Sequence, residues 1–202
     1  MSTLNQSRLT ALAGRLEARS PDQRRWPRLR RRAAIAVVLR SGDQGIEVLL
    51  MRRVERRGDR WSGDIACPGG FAQAEETAVE TAVREAEEEL GIRLETSMVL
   101  GQLGVRPVRP WNHFADFQVT PVVFVIPPGP LALELAQAEV ASARWVPLSV
   151  LGDPTRRQRF FWWWKFAKPV AIPFLVPRVW AGDYDVWGLT LRILDELVEE
   201  MR

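Results

Sequence analysis

Glu76, Arg84, Glu85, Glu88 and Glu89 fall within one stretch, Glu75–Leu90, that contains neither Gly nor Pro and is followed by Gly91. Its Ala- and Glu-rich composition predicts a helix stopped by that glycine. At ~100° per residue, Val79, Ala82, Val83, Ala86 and Leu90 form an apolar face. Glu89 lies at the edge of that face, Glu85 beside it at i,i+4, and Glu88 one step further round. Like charges at i,i+4 cost roughly 0.2–0.5 kcal/mol per pair, and a partly buried carboxylate costs more unless compensated. A divalent cation offsets both penalties, and an all-oxygen donor set suits Mg²⁺ or Mn²⁺ rather than zinc. Arg84, four residues from both Glu80 and Glu88, is placed to pair with either and to orient a carboxylate. Most Glu-rich helices simply present a solvated face. Here the Gly69-Gly70 entry and the off-centre cluster argue for the metal-binding alternative.

The rest of the composition narrows the chemistry. The chain has 202 residues and a net charge of +3, with 47% hydrophobic and 26% charged residues, as expected of one globular domain. Its one cysteine, Cys67, excludes an intrachain disulfide and a multi-cysteine zinc site. Its one histidine, His113, excludes a multi-histidine metal site. Of 28 basic residues only Lys165 and Lys168 are lysines, and three of the nine Trp are consecutive, Trp162–Trp164. That run reads as core or as a surface for a ligand or a second copy in a homodimer. The basic run from Arg24 to Arg32 reads as a solvated connector rather than a polyanion site, so no nucleic-acid partner is expected. No run reaches ~18 apolar residues, so no membrane span is expected. Nine Arg in the first 32 residues resemble a mitochondrial presequence. The helical spacing of Leu9, Leu12, Ala13 and Leu16 favours a docked helix and a cytoplasmic protein.

The elements that position the acidic helix follow from apolar periodicity. Residues 5–19 read as an amphipathic helix. Ala33–Leu39 and Ile46–Met51 read as strands joined by a turn at 41–45, hence a hairpin. Arg52–Gly63 is a polar loop, and Ile65–Cys67 a short strand ending at the Pro68-Gly69-Gly70 turn. Strands are expected at 97–104, 115–126 and 141–146, and a strand pair at 160–166 and 171–176 around Pro169. Asp185–Met201 reads as a C-terminal helix. This order predicts an α/β fold: a mixed sheet between helices, with residues 1–32 as an N-terminal helix and connector and 33–202 as the main domain.

The spacing Gly70-x5-Glu76-x7-Arg84-Glu85-Ala86-x-Glu88-Glu89-x-Gly91-Ile92 resembles the full signature of the Nudix hydrolases. Ala86, where the family usually has a larger aliphatic residue, is the one soft departure. The resemblance implies an α/β/α sandwich and Mg²⁺- or Mn²⁺-dependent hydrolysis of a diphosphate linked to another moiety. It implies Glu85, Glu88 and Glu89 as metal ligands, with Glu88 and Glu89 also catalytic. Arg84 would orient Glu85, Glu76 would help from outside, and Gly70 and Gly91 would bound the motif. Glu139, six residues before Trp145, stands where some members carry a functional Glu; the alternative is that it caps a turn.

A second resemblance is to the coenzyme A pyrophosphatase branch. It rests on Leu49-Leu50-Met51-Arg52-Arg53, Gly63-x3-Cys67-Pro68-Gly69-Gly70, Thr81–Ala86, Arg32-Ala33-Ala34 and Trp187-Gly188-Leu189-Thr190. The departures are Met51, Val54, Cys67 and Asp59, where the branch usually has Thr, Ser, Phe and Arg. It implies coenzyme A or acyl-coenzyme A as substrate, giving adenosine 3′,5′-bisphosphate and a phosphopantetheine derivative. The alternatives are another nucleotide (ADP-ribose, a dinucleotide, a nucleotide sugar or a nucleoside triphosphate) or a non-catalytic binding module. Arg52, Arg53, Arg60, Arg106 and His113 are the candidate substrate contacts, since guanidinium groups bind phosphate bidentately.

Overall fold

Alternation along the first strand separates two cores. The computed structural model describes residues 3–19, 31–59, 61–108, 117–162 and 174–202. After α1 (Thr3–Arg19), β1 (Arg31–Gly42) directs Val37 and Leu39 to one side and Ala34, Ala36 and Val38 to the other. A turn at Asp43–Gln44 leads into β2 (Gly45–Arg53), antiparallel to β1 with Leu39 opposite Val48. Val48 and Leu50 join the first core, Leu49 and Met51 the second.

Along the chain follow β3 (Ile65–Ala66), β4 (Gly69–Phe71), α2 (Ala78–Leu90), β5 (Val99–Gln102), β6 (Arg106–Val108) and β7 (Phe117–Val125). Then come β8 (Val140–Pro147), the short α3 (Leu148–Leu151), β9 (Arg157–Trp162), β10 (Phe174–Ala181), β11 (Tyr184–Trp187) and α4 (Gly188–Glu200). The larger sheet is mixed. β1 runs parallel to β7, from Arg31 opposite Phe117 to Leu39 opposite Val125, while its other pairings are antiparallel. β9, β10 and β11 form a smaller antiparallel sheet.

Helices cover both faces of the larger sheet. α2 lays Ala78, Ala82, Ala86 and Leu90 against the second core. Leu9, Leu12 and Leu16 of α1 share the first core with Leu191, Leu194 and Leu197 of α4. The result is the expected α/β/α sandwich, and α1 is built into the hydrophobic core beside α4.

Three local expectations are corrected. The acidic helix begins at Ala78, not Glu75, because Thr77 and Glu80 close a capping box: Thr77 Oγ1 accepts the Glu80 N–H, and Glu80 accepts the Thr77 N–H. Gly69 and Gly70 do not merely end a strand; they form β4, with Ala34 opposite Gly70 on β1. Asp185–Trp187 belongs to β11, so the last helix starts at Gly188, whose φ of +63° makes the bend. The basic run Arg24–Arg30, Arg60, His113 and Trp163–Trp164 lie outside the described residues.

Candidate active site

β4 places two glycines beneath α2, and a Cβ on Gly69 would lie 2.5 Å from the Ala34 carbonyl oxygen of β1. A Cβ on Gly70 would lie 2.4 Å from Glu85 Oε1, so only glycine leaves room for that carboxylate. The Gly69 N–H donates to Glu89 Oε2 at 2.8 Å. Gly91 ends α2 with φ +69°, donating to the Ala86 and Glu87 carbonyls.

Arg84 organises the acidic groups. Its Nε donates to Glu76 Oε1 at 2.8 Å, and Nη1 donates to Glu85 Oε1 at 2.8 Å and Glu88 Oε2 at 2.9 Å. Nη2 reaches the Phe71 carbonyl at 3.0 Å, tying the helix to β4. Of the two partners that spacing offers Arg84, Glu88 forms the pair, and Glu80 is committed to the helix cap instead. The Arg84 guanidinium holds Glu76 down to about 2, so Glu76 is a permanent anion that fixes the arginine.

Glu89 is 3% exposed. Burial pushes its carboxyl up to about 8, opposed by the Gly69 N–H and reinforced by Glu85 and Glu139. Burial also raises Glu85.

Glu85, Glu89 and Glu139 line one cavity of about 440 Å³ together with Gly69, Gly70 and Arg53. Glu88 does not: its exposed carboxylate stays on Arg84 at the outer side of the helix. Arg84 Nη1 joins Glu88 to Glu85, so Glu88 stands at the outer rim of the predicted patch rather than in the cavity. The pair that faces the cavity is Glu85 and Glu89, and the third acid there is Glu139.

The predicted substrate arginines separate because successive strand residues face opposite ways. Arg53 lines the cavity and pairs with Asp59 at 3.1 Å. Arg52 turns away and donates to the Asp183 carbonyl at 2.6 Å. Arg106 is an ion-pair partner of Glu196 on α4. Arg52 and Arg106 are structural ties rather than cavity residues.

Sequence reading missed Asp64 and Trp61. Asp64 lines the same cavity, and burial lifts it to about 6, opposed by Arg53 and by the Trp187 indole. The signal available in sequence was its place between the Gly63 turn and an apolar strand. Trp187, Gly188, Leu189 and Thr190 also line the cavity. Cys67 is buried as expected, its thiol pushed up to about 12 by burial alone.

Among the described residues, no three Asp, Glu, His or Cys side chains are gathered closely enough to hold a metal ion. Arg84 draws Glu85 and Glu88, and the Gly69 N–H draws Glu89. The donor set still suits a hard divalent ion. Carboxylate oxygens of Glu85, Glu89 and Glu139 face one cavity, and Glu89 needs compensating positive charge to ionise near neutral pH. No helix among the described residues is long and apolar enough to cross a membrane.

The family model described as NUDIX domain matches residues 29–164. A Photorhabdus laumondii protein named uncharacterized Nudix hydrolase NudL is 33% identical over 154 residues, covering 70% of each chain. The protein of the same name from Citrobacter koseri is 34% identical over 175 residues, covering 83% of this chain and 81% of the relative. Among solved structures, a MutT/nudix family protein from Enterococcus faecalis superposes with a TM-score of 0.52 at 16% identity. That match covers 99% of this chain and 73% of the other, and shows a shared fold.

Proposed function

The chain belongs to the NUDIX domain family, and from that premise we propose that it hydrolyses the diphosphate of coenzyme A or acyl-coenzyme A, using Mg²⁺ or Mn²⁺. Glu85, Glu88 and Glu89 are the proposed ligands, and Glu139 a further ligand or the base. A bound divalent ion would neutralise the phosphate oxygens and polarise the phosphorus. Arg84 fixes the Glu85 carboxylate, and Gly70 leaves the space in which it sits. Glu89, anchored by the Gly69 N–H, presents its remaining lone pairs to the cavity. One cavity carboxylate takes a proton as water attacks phosphorus in line. The P–O bond to the other phosphate breaks, and that phosphate leaves with the bonding electrons. The products are adenosine 3′,5′-bisphosphate and a phosphopantetheine derivative.

One observation carries the choice of substrate. The two segments that resemble the coenzyme A branch, Cys67–Gly70 and Trp187–Thr190, lie far apart in sequence yet line the same cavity. A panel of coenzyme A, acetyl-coenzyme A, ADP-ribose, a diadenosine polyphosphate, a nucleotide sugar and a nucleoside triphosphate tests it, with products read by mass spectrometry. Coenzyme A compounds should give the highest kcat/KM, and activity should vanish in EDTA. Faster turnover of ADP-ribose or a dinucleotide would sink the substrate assignment. Absence of turnover on the whole panel would sink the enzymatic reading.

A further inference from the structure

The cavity is uneven in charge. It runs from α2 on one face of the sheet to the start of α4 on the other, so its two halves have different walls. Glu85, Glu89 and Glu139 line the α2 half. Beyond them the wall becomes aromatic and aliphatic. Phe71 and Phe117 stand edge to face at 5.1 Å, Trp61 meets Phe117 at 6.4 Å, and Leu189 and Ile65 complete the surface.

Among the described residues, the lining side chains that carry charge are four acids, Asp64, Glu85, Glu89 and Glu139, against the single base Arg53. Arg53 gives its Nη2 to Asp59 at 3.1 Å, and among the described residues its buried Nε has no partner. Arg52 and Arg106 are bound elsewhere. Metal ions at the α2 end would serve one diphosphate. Among the described lining residues Arg53 is the single cation against those four acids, and a further phosphate in the α4 half would meet Asp64.

Asp64 is held firmly in that half. Its N–H donates to the Trp61 carbonyl at 3.2 Å, and its carbonyl accepts the Arg53 N–H at 3.0 Å. Thr190 Oγ1 donates to the neighbouring Ile65 carbonyl at 3.0 Å, fastening α4 to β3 beside it. A carboxylate acceptor set in an apolar wall selects a ligand that is mostly apolar, uncharged, and carries an N–H donor. The pantetheine arm of coenzyme A has that chemistry: two secondary amides, a gem-dimethyl group and no charge. The nucleoside end, with its 3′-phosphate, does not.

Resting on the assignment of coenzyme A as substrate, we propose that the arm enters this cavity with the 3′-phosphonucleoside outside, and that Asp64 selects the arm by accepting an amide N–H.

The test is steady-state kinetics of Asp64→Asn with coenzyme A and dephospho-coenzyme A, together with inhibition by free pantetheine. Asparagine keeps the size of the side chain and removes its charge. The expected result is a KM raised about tenfold for both substrates, with kcat within about threefold and the two substrates still handled alike. Pantetheine should inhibit the wild type competitively and the variant about tenfold less. Leu189→Glu places a carboxylate in the same half at the first turn of α4, where a helix tolerates it. It should reproduce the rise in KM should Asp64→Asn not fold. An unchanged KM would overturn the inference while leaving coenzyme A hydrolysis standing. So would a fall in kcat alone, or competition by adenosine 3′,5′-bisphosphate in place of pantetheine. No hydrolysis of coenzyme A by the wild type would overturn the substrate assignment itself.

Discussion

Replacing Glu89 with glutamine should make the metal-free protein more stable at alkaline pH while abolishing its activity. Glu89 is 3% exposed, and its carboxyl is raised from an ordinary 4.5 to about 8, chiefly by burial. Its folded-state value lies above the unfolded one, so folding takes up a proton between the two. Stability therefore falls as pH rises from about 4.5 to about 8. At 1.36 kcal/mol per decade the full span is worth about 5 kcal/mol. Relaxation and water entry around an ionised carboxylate leave about 2–5 kcal/mol as the expected range. Glutamine is nearly isosteric, still accepts the Gly69 N–H, and does not ionise. Urea unfolding in EDTA at pH 5, 7 and 9 is the assay. The variant should match the wild type within about 1 kcal/mol at pH 5 and exceed it by about 2–5 kcal/mol at pH 9. The contribution of Asp64 is common to both proteins and cancels in the difference, whereas the repulsion of Glu89 by Glu85 and Glu139 is part of what the difference reads. A stability difference that does not change with pH would refute the account of Glu89 as a buried acid that needs a cation. With Mg²⁺ present, the gap at pH 9 should narrow, because the ion binds and stabilises the wild type more than the variant, which has lost one proposed ligand.

Further outcomes follow from the same contacts. Gly70→Ala drives a methyl group into the Glu85 carboxylate, 2.4 Å from Oε1. Because the displaced atoms end a flexible side chain, kcat should fall about 100-fold with a melting temperature close to wild type. Leu12→Ala removes a fully buried side chain from the core shared by α1 and α4. It should cost about 2–5 kcal/mol in chemical unfolding, and no loss would mean that α1 contributes nothing to folding. Arg52→Ala breaks an exposed tie to Asp183. It should cost under about 1 kcal/mol and leave the KM for coenzyme A unchanged; a tenfold rise would return Arg52 to the substrate site.

The acidic helix was legible because it is local. A run free of Gly and Pro, an apolar stripe and a terminal glycine place Glu85 and Glu89 correctly by spacing alone. Spacing did not show that Thr77 would cap the helix and so take Glu80 from Arg84. Nor did it show that Glu88 would stay on the outer side, since that depends on where β4 lies beneath α2. The arginines were the least legible. Arg52 and Arg53 are adjacent and chemically identical, and strand pleating alone sends one to Asp183 and the other to the cavity. Asp64 and the Trp187–Thr190 segment meet across more than half of the chain, a proximity that only the tertiary fold produces. The strand order β3-β2-β1-β7-β5, with β1 and β7 parallel, was likewise beyond local pattern.

The central claim is that the carboxylates of one cavity carry out metal-dependent hydrolysis of coenzyme A. Its most direct test is mass spectrometry of coenzyme A incubated with Mg²⁺ and wild type, Glu85→Gln or Glu89→Gln, each variant first shown to be folded. The account predicts adenosine 3′,5′-bisphosphate and phosphopantetheine from the wild type, and losses of about 100-fold or more in both variants. Intact coenzyme A with the wild type, or undiminished product from either variant, would contradict it.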